Sequence, residues 1–236
     1  KQCENEIAKD LGQKGNRMIV YPIYHSGFFV ELEDRYLLFD CVKAEIPLLD
    51  QNKPLYVFIS HFHGDHYTPR IRDYTAYYLH RTFITGGVAG ENFFVLAPDE
   101  RLELEGLTVT TLGSTDEGVA FLVETEGKTI FHAGDLHLWY WDDDTEAERQ
   151  EMYRRYMAEI EKLRGRRIDV AFLVLDSRQT EPDALPGIEV FNDITDTAYI
   201  FPMHYSDNEV LLGERISHLK RKDNVIDTRR KPYYEL

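Results

Sequence analysis

His61-Phe62-His63-Gly64-Asp65-His66 places three imidazoles and one carboxylate in six consecutive residues. The segment follows directly on the apolar run Leu55-Tyr56-Val57-Phe58-Ile59. Core packing has no use for that much titratable chemistry at a strand end, whereas a divalent cation does. Imidazole nitrogen and carboxylate oxygen are donors that zinc accepts, and manganese and iron use them too. A metal site is the expectation, set against an unligated polar loop. Gly64 suits it, because backbone folding tightly around a cation favours a residue without a Cβ.

Two later segments repeat the pattern of a strand ending in a potential ligand. Phe131-His132-Ala133-Gly134-Asp135 follows the strand-like Lys128-Thr129-Ile130, and Tyr199-Ile200-Phe201-Pro202-Met203-His204-Tyr205 is a further apolar strand reaching a histidine. In this order, across about 145 residues, the three segments resemble the HxHxDH, strand-Gly-Asp and strand-His motifs of the metallo-β-lactamase-fold metal-dependent hydrolases. The resemblance implies an α/β fold, a four-layer αββα sandwich, and two divalent metal ions, zinc first with manganese or iron as alternatives. By position it gives His61 and His63 to the first metal and Asp65 and His66 to the second. Asp135 would bridge the two and His204 would complete the second. The second histidine of the hexapeptide resembles the hydrolytic branch rather than the di-iron oxygen-reducing one. The small stand-alone cytoplasmic branch with lactonase-like members is the nearest in character.

The family motif that normally supplies a third histidine to the first metal has no histidine here. The corresponding stretch, 111–123, reads as strand, short turn, strand, and Asp116 is the best-placed substitute, since a carboxylate can replace imidazole. The alternative is that Ser114, Thr115 and Asp116 form an ordinary polar turn. A carboxylate there makes a harder donor set, which favours manganese or iron more and could leave the first position weakly occupied.

Other residues near these motifs carry weaker signals. His132 lies three before Asp135 and should face away from it, as a supporting or core histidine. His137 could reach the pocket or be exposed. His25 resembles an early hairpin histidine near the cleft mouth and is a candidate for substrate binding. Asp40, ending the strand 36–39, matches an aspartate that orients metal-bound imidazoles. Arg178 could clamp an anionic substrate group or pair with Asp176 to hold its own loop. Trp139-Tyr140-Trp141 could wall a pocket or anchor the helix that follows.

These residues need strands to carry them. Alternation and turn chemistry predict strands over 18–25, 28–32, 36–39, 55–59, 107–112, 119–124, 128–132 and 169–175, with turns at Ser26-Gly27, Glu33-Asp34 and Glu126-Gly127. Met152, Tyr156, Ile160 and Leu163 recur at helical spacing and predict a helix over 144–164, ended by Gly165. Ser206 and Glu209 form an S-x-x-E capping box that opens a helix to about residue 220.

Composition agrees with one soluble domain spanning 1–236, in which 1–17 is an extension outside the core and Met18 an alternative start. The chain is 43% apolar and 29% charged, a globular balance. It has no apolar run near the roughly 20 residues of a membrane span and no signal-peptide pattern. Two cysteines, Cys3 and Cys41, make no disulfide framework and fit a reducing cytoplasm. A net charge of −15 repels polyanions, and the basic clusters 164–167 and 229–231 read as solvated faces. The expected partner is a small molecule, with no nucleic acid and no membrane.

The chemistry implied is hydrolysis by a metal-bound hydroxide, with Asp65 accepting and orienting its proton. No Gly-x-Ser-x-Gly elbow or Walker loop offers another route. An ester or lactone of a small molecule is the first substrate class and a phosphodiester the second. A degenerate or mononuclear binder without turnover is the non-enzymatic alternative.

Overall fold

The computed structural model describes residues 17–43, 46, 49–71, 80–85, 90–205 and 208–236. Strict alternation builds the first sheet. Phe28, Val30, Leu37, Phe39, Tyr56 and Phe58 point into a central core. Their neighbours Phe29, Tyr36, Leu38, Leu55, Val57 and Ile59 form a second cluster on the opposite face. A period of two with apolar residues on both faces is the mark of strands covered on both sides. The elements are β1 (Ile19–Pro22), β2 (Phe28–Glu31), β3 (Tyr36–Phe39), β4 (Leu55–Ile59), β5 (His80–Ile84), β6 (Phe93–Val95) and β13 (Tyr234–Glu235). Their order across the sheet is β13-β1-β2-β3-β4-β5-β6, parallel from β3 to β6 and antiparallel elsewhere.

The second sheet runs β12-β11-β10-β9-β8-β7. It comprises β7 (Arg101–Leu104), β8 (Leu107–Gly113), β9 (Val119–Thr125), β10 (Lys128–His132), β11 (Arg167–Val174) and β12 (Asp196–Met203). β10, β11 and β12 are parallel, and the meander β7 to β10 is antiparallel. The sheets meet through aromatic contacts: Phe28 stacks on Phe172 at 4.1 Å and Phe58 meets Phe121 edge-on at 5.4 Å. Each such side chain contributes about 1.5–3 kcal/mol by leaving water.

Helices lie outside the sheets: α1 (Glu146–Ile160), α2 (Glu181–Ala184), α3 (Pro186–Ile194) and α4 (Glu209–His218). Phe191 of α3 stacks on Phe131 of β10 at 5.1 Å, while the next residue, His132, turns to the other face and stacks on Phe39. The chain is therefore α/β, two mixed sheets face to face with helices outside them.

Several boundaries differ from the sequence expectation. β1 stops at Pro22, because the chain turns at His25, whose φ of 55° leaves the extended region. The expected cap Ser206 lies outside the described residues, and α4 is capped instead by Asn208, whose side chain accepts from Leu211 N–H at 3.4 Å. An unforeseen capping box, Thr145 with Glu148, opens α1. Strands β5, β6, β7 and β13 were not expected. Residues 1–16, with Cys3, lie outside the described residues, and Cys41 is buried with a free thiol. No helix among the described residues is long and apolar enough to cross a membrane.

Candidate metal centre

Parallel strands carry the predicted donors to one edge of the sandwich. β3 ends at Asp40, β4 at Ser60-His61, β10 leads to Asp135, β11 to Asp176 and β12 to His204. The loop after β4 is pinned by Asp40, which accepts from Ser60 N–H at 2.8 Å and Ser60 Oγ–H at 2.6 Å. Two glycines let other loops close on the same point. A Cβ on Gly118 would sit 2.0 Å from Ser60 O, and one on Gly134 would sit 2.8 Å from Ser60 Cβ. Both have positive φ, 76° and 52°, which glycine adopts without strain.

Hydrogen bonds fix which nitrogen each histidine presents. His66 Nδ1–H donates to Asp40 Oδ2 at 2.8 Å and His204 Nδ1–H to Asp176 Oδ2 at 2.6 Å. His61 Nδ1 lies 3.0 Å from Ser60 Oγ, whose own proton is given to Asp40. In all three, Nε2 is turned toward Asp135: His66 Nε2 lies 3.1 Å, His61 Nε2 3.4 Å and His204 Nε2 3.5 Å from its carboxylate oxygens. His63 is reversed. Its Nε2 pairs with Glu117 at 2.9 Å, and its Nδ1 lies 3.1 Å from His61 Nε2. Holding one imidazole nitrogen to expose the other is how proteins orient metal ligands.

Three groups of donors result, each with atoms within 4.8 Å of one another: His61, His66 and Asp135; His63, Asp116 and Asp135; and His25, Asp65, His66 and His204. His66 Nε2, His204 Nε2 and Asp135 Oδ1 are buried and make no hydrogen bond of good geometry. Buried polar atoms are nearly always satisfied, so orphans converging around one carboxylate fit a metal centre. Electrostatics point the same way. Burial opposes charge on His66, yet the carboxylates of Asp135 and Asp40 raise its pKa to about 10. Burial would raise the Asp135 carboxyl, but His66, His204 and His61 hold it below the usual range. Burial and the neighbouring His204 lower His25 to about 4.

The turn bearing Asp116 is held by α1. Arg155 Nη2 donates to Thr115 O at 2.7 Å, Glu159 accepts from Gly113 N–H at 2.7 Å, and Thr115 Oγ1 donates to His137 O at 2.6 Å. Asp116 N–H also bonds Ser114 Oγ at 3.1 Å, so the polar turn and the donor position coexist. The structure gives the remaining candidates different places. His132 is buried against Ser26 O and Gly134 N–H, away from the donor groups. His137 is 2% exposed and bonded to Gln179, neither ligand nor surface residue. Arg178 is not an unengaged anion clamp: its Nε and Nη2 are committed to Asp176 at 3.0 and 2.6 Å. Trp139 packs edge-on against His204 at 5.6 Å, and Trp141 stacks on Trp139.

Two features escaped the sequence reading. Glu117, beside Asp116, binds His63. His25 lies among the donors of the second group, its Nε2 3.3 Å from Asp65 Oδ2. Its turn and the loop after β12 are joined by His204 N–H donating to His25 O at 3.1 Å.

No protein-family model matches the chain, and no curated protein matches it. Solved structures do. A metallo hydrolase from the hyperthermophilic archaeon Ignicoccus hospitalis superposes with a TM-score of 0.64 at 17% identity, over 94% of this chain and 98% of that one. The diiron β-hydroxylase CmlA from Streptomyces venezuelae gives 0.64 at 12% identity, over 98% of this chain and 59% of that one. The metallo-β-lactamase-fold protein YhfI from Bacillus subtilis gives 0.54 at 14% identity, over 93% and 99%. Two face-to-face mixed sheets, with the donors gathered at one edge, make this chain a member of the metallo-β-lactamase fold.

Proposed function

We propose that this protein is a metal-dependent hydrolase that holds two divalent cations and cleaves an ester or lactone of a small molecule. The observation carrying this reading is the convergence of three imidazole Nε2 atoms on the buried carboxylate of Asp135. His61, His63, Asp116 and Asp135 would hold the first cation, and Asp65, His66, His204 and Asp135 the second. A bound divalent cation brings the pKa of water near ~7 and polarises an acyl oxygen. Asp65, half-exposed with Oδ2 facing His25 and His204, would accept the proton of that water. Trp139 shields His204 from solvent, and the Arg178 guanidinium lies over Trp139 and Trp141.

An uncharged acyl substrate suits these surroundings better than a phosphodiester. The cleft of about 240 Å³ beside Trp141 is lined by Asp142 and Asp143 as well as Arg178, and the arginine is already neutralised by Asp176. The resemblance to CmlA over nearly the whole chain, with the carboxylate of Asp116 among the donors, favours a second reading in which iron is bound and oxygen activated.

Elemental analysis of protein purified without chelator tests the site, with wild type and Asp116→Ala side by side. About two metals per chain, falling toward one in the variant, is expected. One metal in both would make the protein mononuclear or a binder without turnover. Hydrolysis of lactone and aryl-ester panels, but not of bis-aryl phosphodiesters, is expected with zinc or manganese. Reductant-dependent oxygen uptake by iron-loaded protein, without hydrolysis, would give the second reading its place.

A further inference from the structure

The second donor group holds one residue more than the site needs. His25, Asp65, His66 and His204 each bring one ligand atom to within 4.8 Å of the others, and Asp135 Oδ1 lies 3.1 and 3.5 Å from two of them. The His25 ring is 4.0 Å from that of His204, centroid to centroid, and 5.7 Å from that of His66. Its side chain is 6% exposed. The backbone at this turn is unusual: His25 has φ 55° and His204 has φ 69°. A non-glycine residue in the left-handed region is uncommon, and such conformations collect where function demands a particular side-chain direction. Here two imidazoles are turned toward one point by paired left-handed residues whose backbones are hydrogen-bonded to each other.

We propose that His25 is a protein ligand of the second metal position, which then has five protein donors: His25, Asp65, His66, His204 and Asp135. The inference rests on the metal-dependent reading above and extends it. A divalent cation with five protein donors has at most one position left in a six-coordinate shell. The two positions are consequently unequal. The second is closed by protein and binds its cation tightly, and substrate and water enter at the first, between His61, His63 and Asp116. His63 and Asp116 are both exposed at the first position, whereas Asp65 alone is exposed among the donors of the second.

Calorimetric zinc titration and the visible spectrum of cobalt-loaded protein test this, using wild type, His25→Asn and His25→Gly. Asparagine and glycine both tolerate left-handed backbone, so the turn survives while the imidazole is removed. Wild type is expected to show two binding steps of unequal strength. The variants should weaken the tighter step at least about tenfold, leave the weaker step unchanged, and alter the cobalt absorption as one donor is replaced by water. Unchanged affinity in both variants overturns the proposal. Weakened affinity with an unchanged cobalt spectrum also overturns it, and makes His25 a positioning residue for Asp65. Failure of wild type to bind either metal would be a different result, defeating the metal-dependent reading itself.

Discussion

At the scale of single residues, Asp40 governs the site without belonging to it. Its carboxylate is 1% exposed and receives the Ser60 amide, the Ser60 hydroxyl and His66 Nδ1–H, so it sets the direction of His66 and, through Ser60, of His61. Asp40→Ala leaves three buried donors without an acceptor, at a cost of about 1–3 kcal/mol for each unmet group. Metal affinity should fall roughly 10- to 100-fold, while Asp40→Asn, which keeps one acceptor, should lose less of both. Urea unfolding and metal titration check this, and a variant with wild-type metal affinity would remove Asp40 from the site's support. Asp40 itself was legible in the sequence because its place at the end of an apolar strand matches a family aspartate that orients metal-bound imidazoles. Glu117 and the donor place of His25 were not. His63 meets Glu117 only because the β8–β9 turn folds over the loop after β4, and His25 meets His204 only because two distant turns bond to each other. Spacing along one strand carries no trace of either meeting.

Elements were legible where burial dictates pattern. The motif-bearing strands 36–39, 55–59 and 128–132 have the bounds expected from the sequence. Strand β7 escaped because it is an edge strand with alternately exposed residues and little apolar signal, and β6 because it is three half-buried residues. The strand-turn-strand shape of 111–123 is legible in the sequence, though the tight contact of its turn with the end of β4 is hidden in one glycine. At Gly118 a methyl group would meet Ser60 O at 2.0 Å and His61 Cβ at 2.7 Å, with φ at 76°. At Gly127, in the β9–β10 turn, φ is 70° and nothing lies within 4 Å. The two substitutions separate backbone conformation from packing. Gly127→Ala should cost about 1–2 kcal/mol, the left-handed penalty alone. Gly118→Ala adds a backbone collision, so its loss should exceed about 3 kcal/mol and extend to metal content. Equal thermal stability of the two variants would contradict the close approach of this turn to Ser60.

The whole molecule depends on these donors because they come from both sheets. His25 stands on the β1–β2 turn, and His61, His63, Asp65 and His66 follow β4, all in the first sheet. Asp116, Asp135 and His204 follow β8, β10 and β12 in the second. A cation held by these donors would join the two halves of the sandwich at the edge where the carboxylates of Asp40, Asp65, Asp116, Asp135 and Asp176 are concentrated. With a net charge of −15, the folded chain also works against its own repulsion, which bound cations would relieve. Binding only the folded state adds RT ln(1 + [L]/Kd), about 4 kcal/mol when free metal is a thousandfold above Kd. For a chain of this size each kcal/mol moves the midpoint by about 2–4 °C. Chelation should therefore lower the unfolding temperature by roughly 8–16 °C in a single cooperative transition, reversed by added zinc or manganese. Asp135→Ala, lacking the carboxylate between both positions, should melt low from the start and respond little to chelator. A midpoint indifferent to chelator in the wild type would mean that the sheets hold together without the cations and that the donor cluster contributes nothing to the fold.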